Sequence, residues 1–216
     1  MLRTEVQKDI AFKEMKWENG VGFYHHPTPF QYNKAYFNKY LEYDNTPVGR
    51  AITKFRIGVV NKLVSYRRNT SFLLDIGSGT GHFIKTLEKK TIIKPEGTDI
   101  APDALYWLHQ NSFMASRDRY TILTFWDSLQ HLKEPDRILS EYNSKHVAVS
   151  IPIYEGKEGL RNHTKFKPDQ YRWYFTRKGF IEWMKALRYE LVDAYQDEDQ
   201  KYDHTAVQTF SFARAE

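Results

Sequence analysis

The sequence predicts an α/β fold: a mostly parallel sheet flanked by helices and preceded by a helical cap. Three observations predict it. From Ser71 onward, short apolar runs of strand length alternate with segments of helical periodicity. A glycine-rich turn, Gly77-Ser78-Gly79-Thr80-Gly81, joins the first of those runs to the helix after it. Residues 1–70 lack this alternation and place aromatic and aliphatic residues at helical spacing instead.

Residues 1–30 are polar and aromatic, with a loop expected at His26-Pro27-Thr28-Pro29. A helix is predicted over 31–43, where Tyr32, Tyr36, Tyr40 and Tyr43 share one stripe. That stripe either packs on the sheet or another subunit, or closes over a bound ligand by cation–π attraction. After a turn at Asp44-Asn45-Thr46-Pro47, a second helix carries Ile52, Phe55, Val59, Val60 and Leu63 on one face. Residues 1–70 are therefore assigned as a helical cap within the same domain, and residues 71–216 as the core.

In the core, Phe72-Leu73-Leu74-Asp75-Ile76 reads as a buried strand, with a helix over 82–89 after the glycines. Glu96-Gly97-Thr98-Asp99-Ile100 ends a second strand, and Pro102 suits the first turn of a helix reaching about Met114. Further strands are predicted over 120–126 and 147–151, a helix over 177–187, and two late strands over 190–194 and 206–213. Strands separated by helices require right-handed crossovers and a mostly parallel sheet. Ligands bind such a sheet beyond the carboxyl ends of its strands, where strand order reverses.

The 216 residues fit one domain, and 41% hydrophobic with 27% charged residues is a globular balance rather than a disordered one. No apolar run approaches the roughly 18–20 residues that span a bilayer, and residues 1–16 carry no secretory apolar core. A cytoplasmic protein without membrane attachment is expected; oligomeric state is not legible. Cysteine is absent, which excludes disulfides, cysteine-ligated zinc, iron–sulfur clusters and methylation of pyrimidine C5 through a cysteine adduct. A net charge of +5 is only mildly basic. The stretch 45–70 is one-sided, however, with Arg50, Lys54, Arg56, Lys62, Arg67 and Arg68 and no acid. It is either a solvated helix face or a surface for anionic substrates.

The glycine turn is the most informative segment. Glycines there allow a tight turn and a close approach by ligand. Its Gly-x-Gly-x-Gly spacing puts His82 where a dinucleotide fingerprint has its last glycine. Asp75, two residues before Gly77, would be unwelcome beside a pyrophosphate, which argues against a nicotinamide enzyme. Asp99, at the end of the next strand, is placed either to accept both ribose hydroxyls or to cap the following helix.

These residues resemble the class I S-adenosylmethionine-dependent methyltransferases of Rossmann-like fold, in particular the group described as methyltransferase domain 23 or UbiG-like. The resemblance runs over about 72–199. Leu73-Leu74-Asp75-Ile76-Gly77-Ser78-Gly79-Thr80-Gly81 is similar to their first motif and Gly97-Thr98-Asp99-Ile100 to their second. Phe125-Trp126-Asp127-Ser128-Leu129-Gln130-His131-Leu132 with Pro135 is similar to the segment after strand four. Phe166-Lys167-Pro168, Tyr174-Phe175-Thr176 and Gly179-Phe180 are similar to the region before the last helix. The resemblance implies S-adenosylmethionine as cofactor. Asp75, Gly77, Ser78, Gly79 and Gly81 would surround its methionine part, Asp99 and Ile100 its ribose side, and Trp126 and Asp127 the mouth of the site. Only about 20 residues separate Asp99 from Tyr120, where relatives usually carry a further strand; that strand is either missing or displaced, so no adenine contact is assigned.

Methyl transfer is an in-line displacement that mainly needs alignment and exclusion of water. A positioned base helps where the acceptor is a hydroxyl or a protonated amine, and histidine suits neutral pH. His131 is the first candidate catalytic residue, from its place after the strand facing the cofactor; a turn-holding role is the alternative. His163 borders the expected acceptor loop. Tyr171 stands where relatives often have histidine and could donate a hydrogen bond. His25 and His26 with Tyr24 belong to the cap. No metal is expected, because Gln130 supplies an amide where a divalent ion would need a carboxylate. The favoured partner is a small-molecule acceptor methylated on oxygen or nitrogen. A nucleic-acid methyltransferase, using the basic stretch with Arg161, Lys165, Lys167, Arg172, Arg177 and Lys178, is possible but not favoured: the Asp/Asn-Pro-Pro-aromatic motif of exocyclic-amine enzymes is absent. A non-catalytic S-adenosylmethionine-binding module is the third reading.

Overall fold

A computed structural model of the chain describes residues 2–25, 30–64, 71–202 and 206–215. In chain order the elements are α1 (Leu2–Glu14), β1 (Lys16–Glu18), β2 (Val21–Phe23), α2 (Lys34–Asp44), α3 (Pro47–Val64), β3 (Phe72–Ile76), α4 (His82–Lys90), β4 (Lys94–Thr98) and α5 (Pro102–Gln110). They continue with β5 (Ile122–Trp126), a 3₁₀ turn (Leu129–His131), α6 (Pro135–Tyr142), β6 (His146–Pro152), α7 (Lys157–Leu160), β7 (Trp173–Phe175), α8 (Arg177–Ala186), β8 (Tyr189–Tyr195), α9 (Asp197–Tyr202) and β9 (Val207–Arg214).

Six strands form the main sheet in the order β4-β3-β5-β6-β9-β8. The pairs β3–β4, β3–β5 and β5–β6 are parallel, while β9 runs antiparallel between β6 and β8. Strand order reverses between β3 and β5, so the crevice beyond their carboxyl ends is the place for a ligand. Side chains alternate across the sheet. Leu74, Leu123, Phe125, Val147 and Val149 pack with Leu139 of α6, Phe180 and Met184 of α8, and Phe210 and Phe212 of β9. On the other face Leu73, Ile122, Trp126 and Ala148 pack with Ile57 and Val60 of α3, Ile84 and Leu87 of α4, and Leu108 of α5. No helix among the described residues is long and apolar enough to cross a membrane.

The further strand is reduced to one parallel bridge outside β4. There Gly97 donates its N–H to Phe113 O at 2.7 Å and accepts that of Ala115 at 3.0 Å. The preceding helix stops at Gln110 because Ser112 turns the chain in the left-handed region (φ 59°). Likewise α2 starts at Lys34 rather than at residue 31, because the Asn33 carboxamide accepts the N–H of Tyr36 (3.0 Å) as an N-cap.

The first 30 residues hold more structure than their composition predicts. Strands β1 and β2 form a hairpin, and β2 pairs antiparallel with β7. The hairpin closes on Asn19 (φ 50°) and Gly20 (φ 79°), an Asn-Gly turn whose twist matches its strands. A third core gathers Ala11, Met15 and Tyr24 with Tyr154, Leu160, Phe166, Tyr171 and Tyr174. The N-terminal segment is thus helical only in part, and it braces the 153–175 region rather than capping the sheet alone. The expected loop at 26–29 lies outside the described residues.

Candidate active site

Strand β3 delivers the glycine turn to the reversal point. Gly77, Gly79 and Gly81 have φ of 80°, 54° and 71°, in the region glycine enters without strain. What surrounds them differs. A Cβ on Gly81 would lie 1.9 Å from the Trp107 ring of α5, so that glycine allows helix and loop to touch. A Cβ on Gly79 would meet nothing within 4 Å: its backbone faces open space. Ser78 is buried, with its hydroxyl donating to Thr98 O at 3.3 Å, so it fastens the turn from below.

Asp99 reaches across from the end of β4. Its Oδ2 accepts the N–H of Gly79 (2.8 Å), and its Oδ1 accepts those of Ile100 (2.7 Å) and Ala101 (2.8 Å) at the start of α5. Helix α5 begins at N-cap Ala101 without a side-chain cap, so Asp99 braces the turn before the helix rather than capping it. It stands beside the open glycine, and three N–H bonds leave lone-pair capacity on a carboxylate. Ile100 beside it is 73% exposed, an apolar side chain held out over the same crevice.

Asp75 lies beneath, 1% exposed, and accepts the Thr124 hydroxyl of the paired strand at 2.7 Å. Burial pushes its carboxyl up to about 7; the Thr124 hydrogen bond and Arg56 oppose that, and Asp99 adds to it. Trp126 turns into the α3 face, under the Arg56 guanidinium (5.1 Å) and edge-on to Phe83 (5.2 Å). Its side chain is a wall behind the site. Asp127 at the strand end has φ 58°, and its carboxylate stands 3.9 Å from Arg56.

Arg56 carries the electrostatics of this wall. It makes a fork to Glu198 of α9 (2.9 and 2.7 Å), and fully buried Glu198 also accepts from Ser150 (2.6 Å) and Thr209 (3.0 Å). Burial works against the guanidinium charge, but Glu198, Asp127 and Asp75 outweigh it and hold Arg56 protonated. Arg56 is thus no part of a solvated basic face, as the charge run suggested. Arg67 and Arg68 of that run lie outside the described residues.

On the acceptor side, His131 ends the turn after β5. Its Nδ1 shares a 2.7 Å hydrogen bond with the Tyr32 hydroxyl, and the Tyr171 ring packs edge-on at 4.8 Å. Burial, with help from Lys167, lowers the imidazole to about 4, against Asp127 and the carbonyls of Asp127 and Gln170. Burial and Asp99 raise Tyr32, so the phenol keeps its proton. Tyr36 and Tyr40 continue the ring chain from Tyr32 (5.1 and 4.7 Å). At the far end of α2, Asp44 accepts the Thr80 hydroxyl of the glycine turn. The segment from Tyr32 through α2 therefore spans the crevice, tied at one end to His131 and at the other to the glycine turn.

The profile of a methyltransferase domain family matches residues 50–194. The chain belongs to that family. Among solved structures, this methyltransferase is similar to magnesium protoporphyrin IX methyltransferase from Synechocystis PCC 6803 with bound SAH. The TM-score is 0.61 at 11% identity, over 85% of this chain and 96% of that one. It is also similar to 1,6-didemethyltoxoflavin-N1-methyltransferase of Burkholderia thailandensis with bound 1,6-didemethyltoxoflavin and S-adenosylhomocysteine (0.55, 11% identity, 94% and 100%). The [4+2]-cyclase SpnF shares the fold too (0.56, 13% identity, 76% and 82%). A search of curated protein sequences finds no match.

The structure brings most of the sequence-derived residues of the methyltransferase together around one crevice, with His163 set apart. Its Nδ1 accepts the N–H of Lys165 (3.0 Å) and its ring packs on Tyr154 (4.9 Å). It reaches His131 through the rings of Tyr154, Tyr174 and Tyr171. His25 lies beside Arg172 (3.4 Å), and His26 is outside the described residues. Sequence reasoning missed Arg56, Glu198, Asp44 and Thr80. Arg56 and Glu198 are 142 positions apart, so no local pattern announces them.

Proposed function

We propose that this methyltransferase transfers a methyl group from S-adenosylmethionine to an oxygen or nitrogen of a small-molecule acceptor, in the crevice bounded by Gly79, Asp99 and the His131–Tyr171 pair. The observation that carries the reading is the conjunction at Gly79. A left-handed glycine faces space that a Cβ would fill, 2.8 Å from a carboxylate able to take hydroxyl donors. Asp99 and Ile100 would hold the ribose side; Asp75 and the turn 77–81 would hold the methionine side. S-adenosylmethionine supplies a methyl carbon activated by a sulfonium, whose C–S electron pair leaves with sulfur.

The chain's own part is alignment and exclusion of water. Asp75 lies beneath the crevice and Asp127 at its edge, and a carboxylate at either position favours a cationic ligand. Tyr32, just before α2, and Tyr36 and Tyr40 on it roof the crevice, and their ring faces favour a cation. His131 is better suited to holding that roof than to taking a proton. Its Nδ1 is engaged by Tyr32, and an imidazole lowered to about 4 is a weak base at neutral pH. The acceptor's proton then leaves to solvent, or through Tyr171 where that hydroxyl touches it. In favour of a small acceptor, the 153–175 region folds back onto the crevice through Tyr171.

Calorimetric titration with S-adenosylhomocysteine tests the reading. One site of micromolar affinity is expected, weakened about tenfold or more by Gly79→Ala, which fills the open space at a cost of roughly 1 kcal/mol in folding. No binding by the wild-type chain, or binding indifferent to Gly79→Ala, would overturn it.

A further inference from the structure

The acceptor side of the crevice carries positive charge that methyl transfer itself does not use. Lys167 opens a turn whose backbone is fixed: its carbonyl accepts the N–H groups of Gln170 (2.9 Å) and Tyr171 (2.7 Å). Its ammonium stands 5.8 Å over the ring of Tyr171, and Tyr171 in turn packs against His131. Among the described residues Lys167 forms no ion pair. Desolvation lowers its pKa and neighbouring Lys165 and Lys39 add to the lowering, while Asp127 and Asp169 oppose it. Asp127 is turned toward Arg56, and Asp169 is exposed to solvent. Arg172 adds a fourth cation on the same rim, where its charge reaches Tyr32 and its guanidinium lies 3.4 Å from His25.

Like charges meet here from two elements, α2 and the segment 165–172, and Asp127 and Asp169 offset them only in part, so a bound anion would relieve the repulsion. The flat rings of Tyr32, Tyr36 and Tyr171 border the same space and suit a planar partner. We propose that the acceptor is a planar aromatic anion whose carboxylate or phosphate is held by Lys167 beside the Tyr171 ring, with Lys39, Lys165 and Arg172 supplying the surrounding positive field. This specifies the acceptor class of the site proposed above and rests on that reading. Lys167 fixes one end of the acceptor, which leaves its hydroxyl or amine to face the methyl donor. A neutral analogue loses that anchor and its orientation.

The test uses the full chain loaded with S-adenosylhomocysteine and titrated with salicylate, anthranilate and phenyl phosphate, each carboxylate alongside its amide. The anions are expected to bind about tenfold more tightly than the amides, less so as salt rises. Lys167→Met should abolish that preference while leaving S-adenosylhomocysteine affinity unchanged, and Lys167→Arg should retain it. Preference for phenyl phosphate over the carboxylates identifies a phosphate-bearing acceptor, and the reverse a carboxylate. Equal affinity for acid and amide, an unaltered preference in Lys167→Met, or no binding by any probe overturns the proposal. Failure to bind S-adenosylhomocysteine sinks the cofactor reading instead, and the same titrations of the unloaded chain then decide the anion site separately.

Discussion

Asp99 is the residue whose replacement separates cofactor binding from folding most cleanly. Its carboxylate takes three backbone N–H groups, from Gly79, Ile100 and Ala101, and is part-exposed on the side of the crevice. Two ribose hydroxyls donating to it would contribute about 1.5–3 kcal/mol each in a sheltered site. Halving this for partial exposure gives about 1.5–3 kcal/mol, so Asp99→Ala should weaken binding by about 10- to 150-fold. The same change removes the hydrogen bonds that brace the turn before α5 and the tie to Gly79, which costs roughly 0.5–2 kcal/mol of stability. Asp99→Asn distinguishes the two effects. It keeps an acceptor oxygen for Ile100 and Ala101 but presents an amide N–H to Gly79 and the ribose. Its stability should fall by about 1 kcal/mol while its affinity drops nearly as far as in Asp99→Ala. Calorimetry with S-adenosylhomocysteine measures the affinities, urea unfolding the stabilities. Lys89→Gln, an exposed change on α4, is the reference. An Asp99→Ala affinity within twofold of that reference would refute the ribose assignment.

Three further outcomes are expected. His131 is lowered to about 4, from 6.5 in the unfolded chain, so the unfolded state binds its proton first. The stability His131 contributes is complete above pH 6.5 and is lost as pH falls toward 4, at most about 3 kcal/mol. Urea unfolding across that range should show a shallower loss in His131→Phe, and an unchanged slope would show that burial does not keep the ring neutral. Asp75, raised from 3.8 to about 7, has the opposite sign: it favours folding at low pH, and that contribution fades as pH rises through 7. A cationic ligand prefers the ionised form, so S-adenosylmethionine affinity should fall by up to about tenfold per pH unit below 7. In Asp75→Asn that dependence should flatten; calorimetry at several pH values decides. Finally, Arg56→Leu strands buried Glu198 and should cost about 3–5 kcal/mol in urea unfolding. The double variant with Glu198→Leu should recover part of the loss, and additive losses would mean that the pair is not coupled.

Much of the cofactor half was legible because its parts are local. Asp75 through Gly81 is one strand-to-turn segment, and Asp99 ends the next strand, so period and glycine spacing locate both without tertiary knowledge. The acceptor half is assembled from segments far apart. Tyr32 and His131 are 99 positions apart, and the hairpin β1–β2 pairs with β7 some 150 residues later. Three-residue strands are too short for a period to show, although Asn19-Gly20 carried a turn signal that went unused. Asp44 looked like a turn residue and Arg56 like one charge among several. Only burial against partners distant in sequence gives either a role.

That division has a chemical consequence. The turn 77–81 and Asp99 depend on backbone geometry that many sequences can supply, which is consistent with a fold shared at 11–13% identity by two methyltransferases and a cyclase. Nothing in that half distinguishes one acceptor from another. On the reading proposed above, the distinguishing surface is the one that Tyr32, α2 and the 153–175 region build together: Tyr32 on His131, Lys167 over Tyr171, and Arg172 acting electrostatically on Tyr32. Because the hairpin braces that region through β7, substitutions in residues 16–23 that loosen the small sheet should shift acceptor affinity while leaving S-adenosylhomocysteine affinity in place. Specificity in this chain is therefore a property of the part that lies outside the sheet.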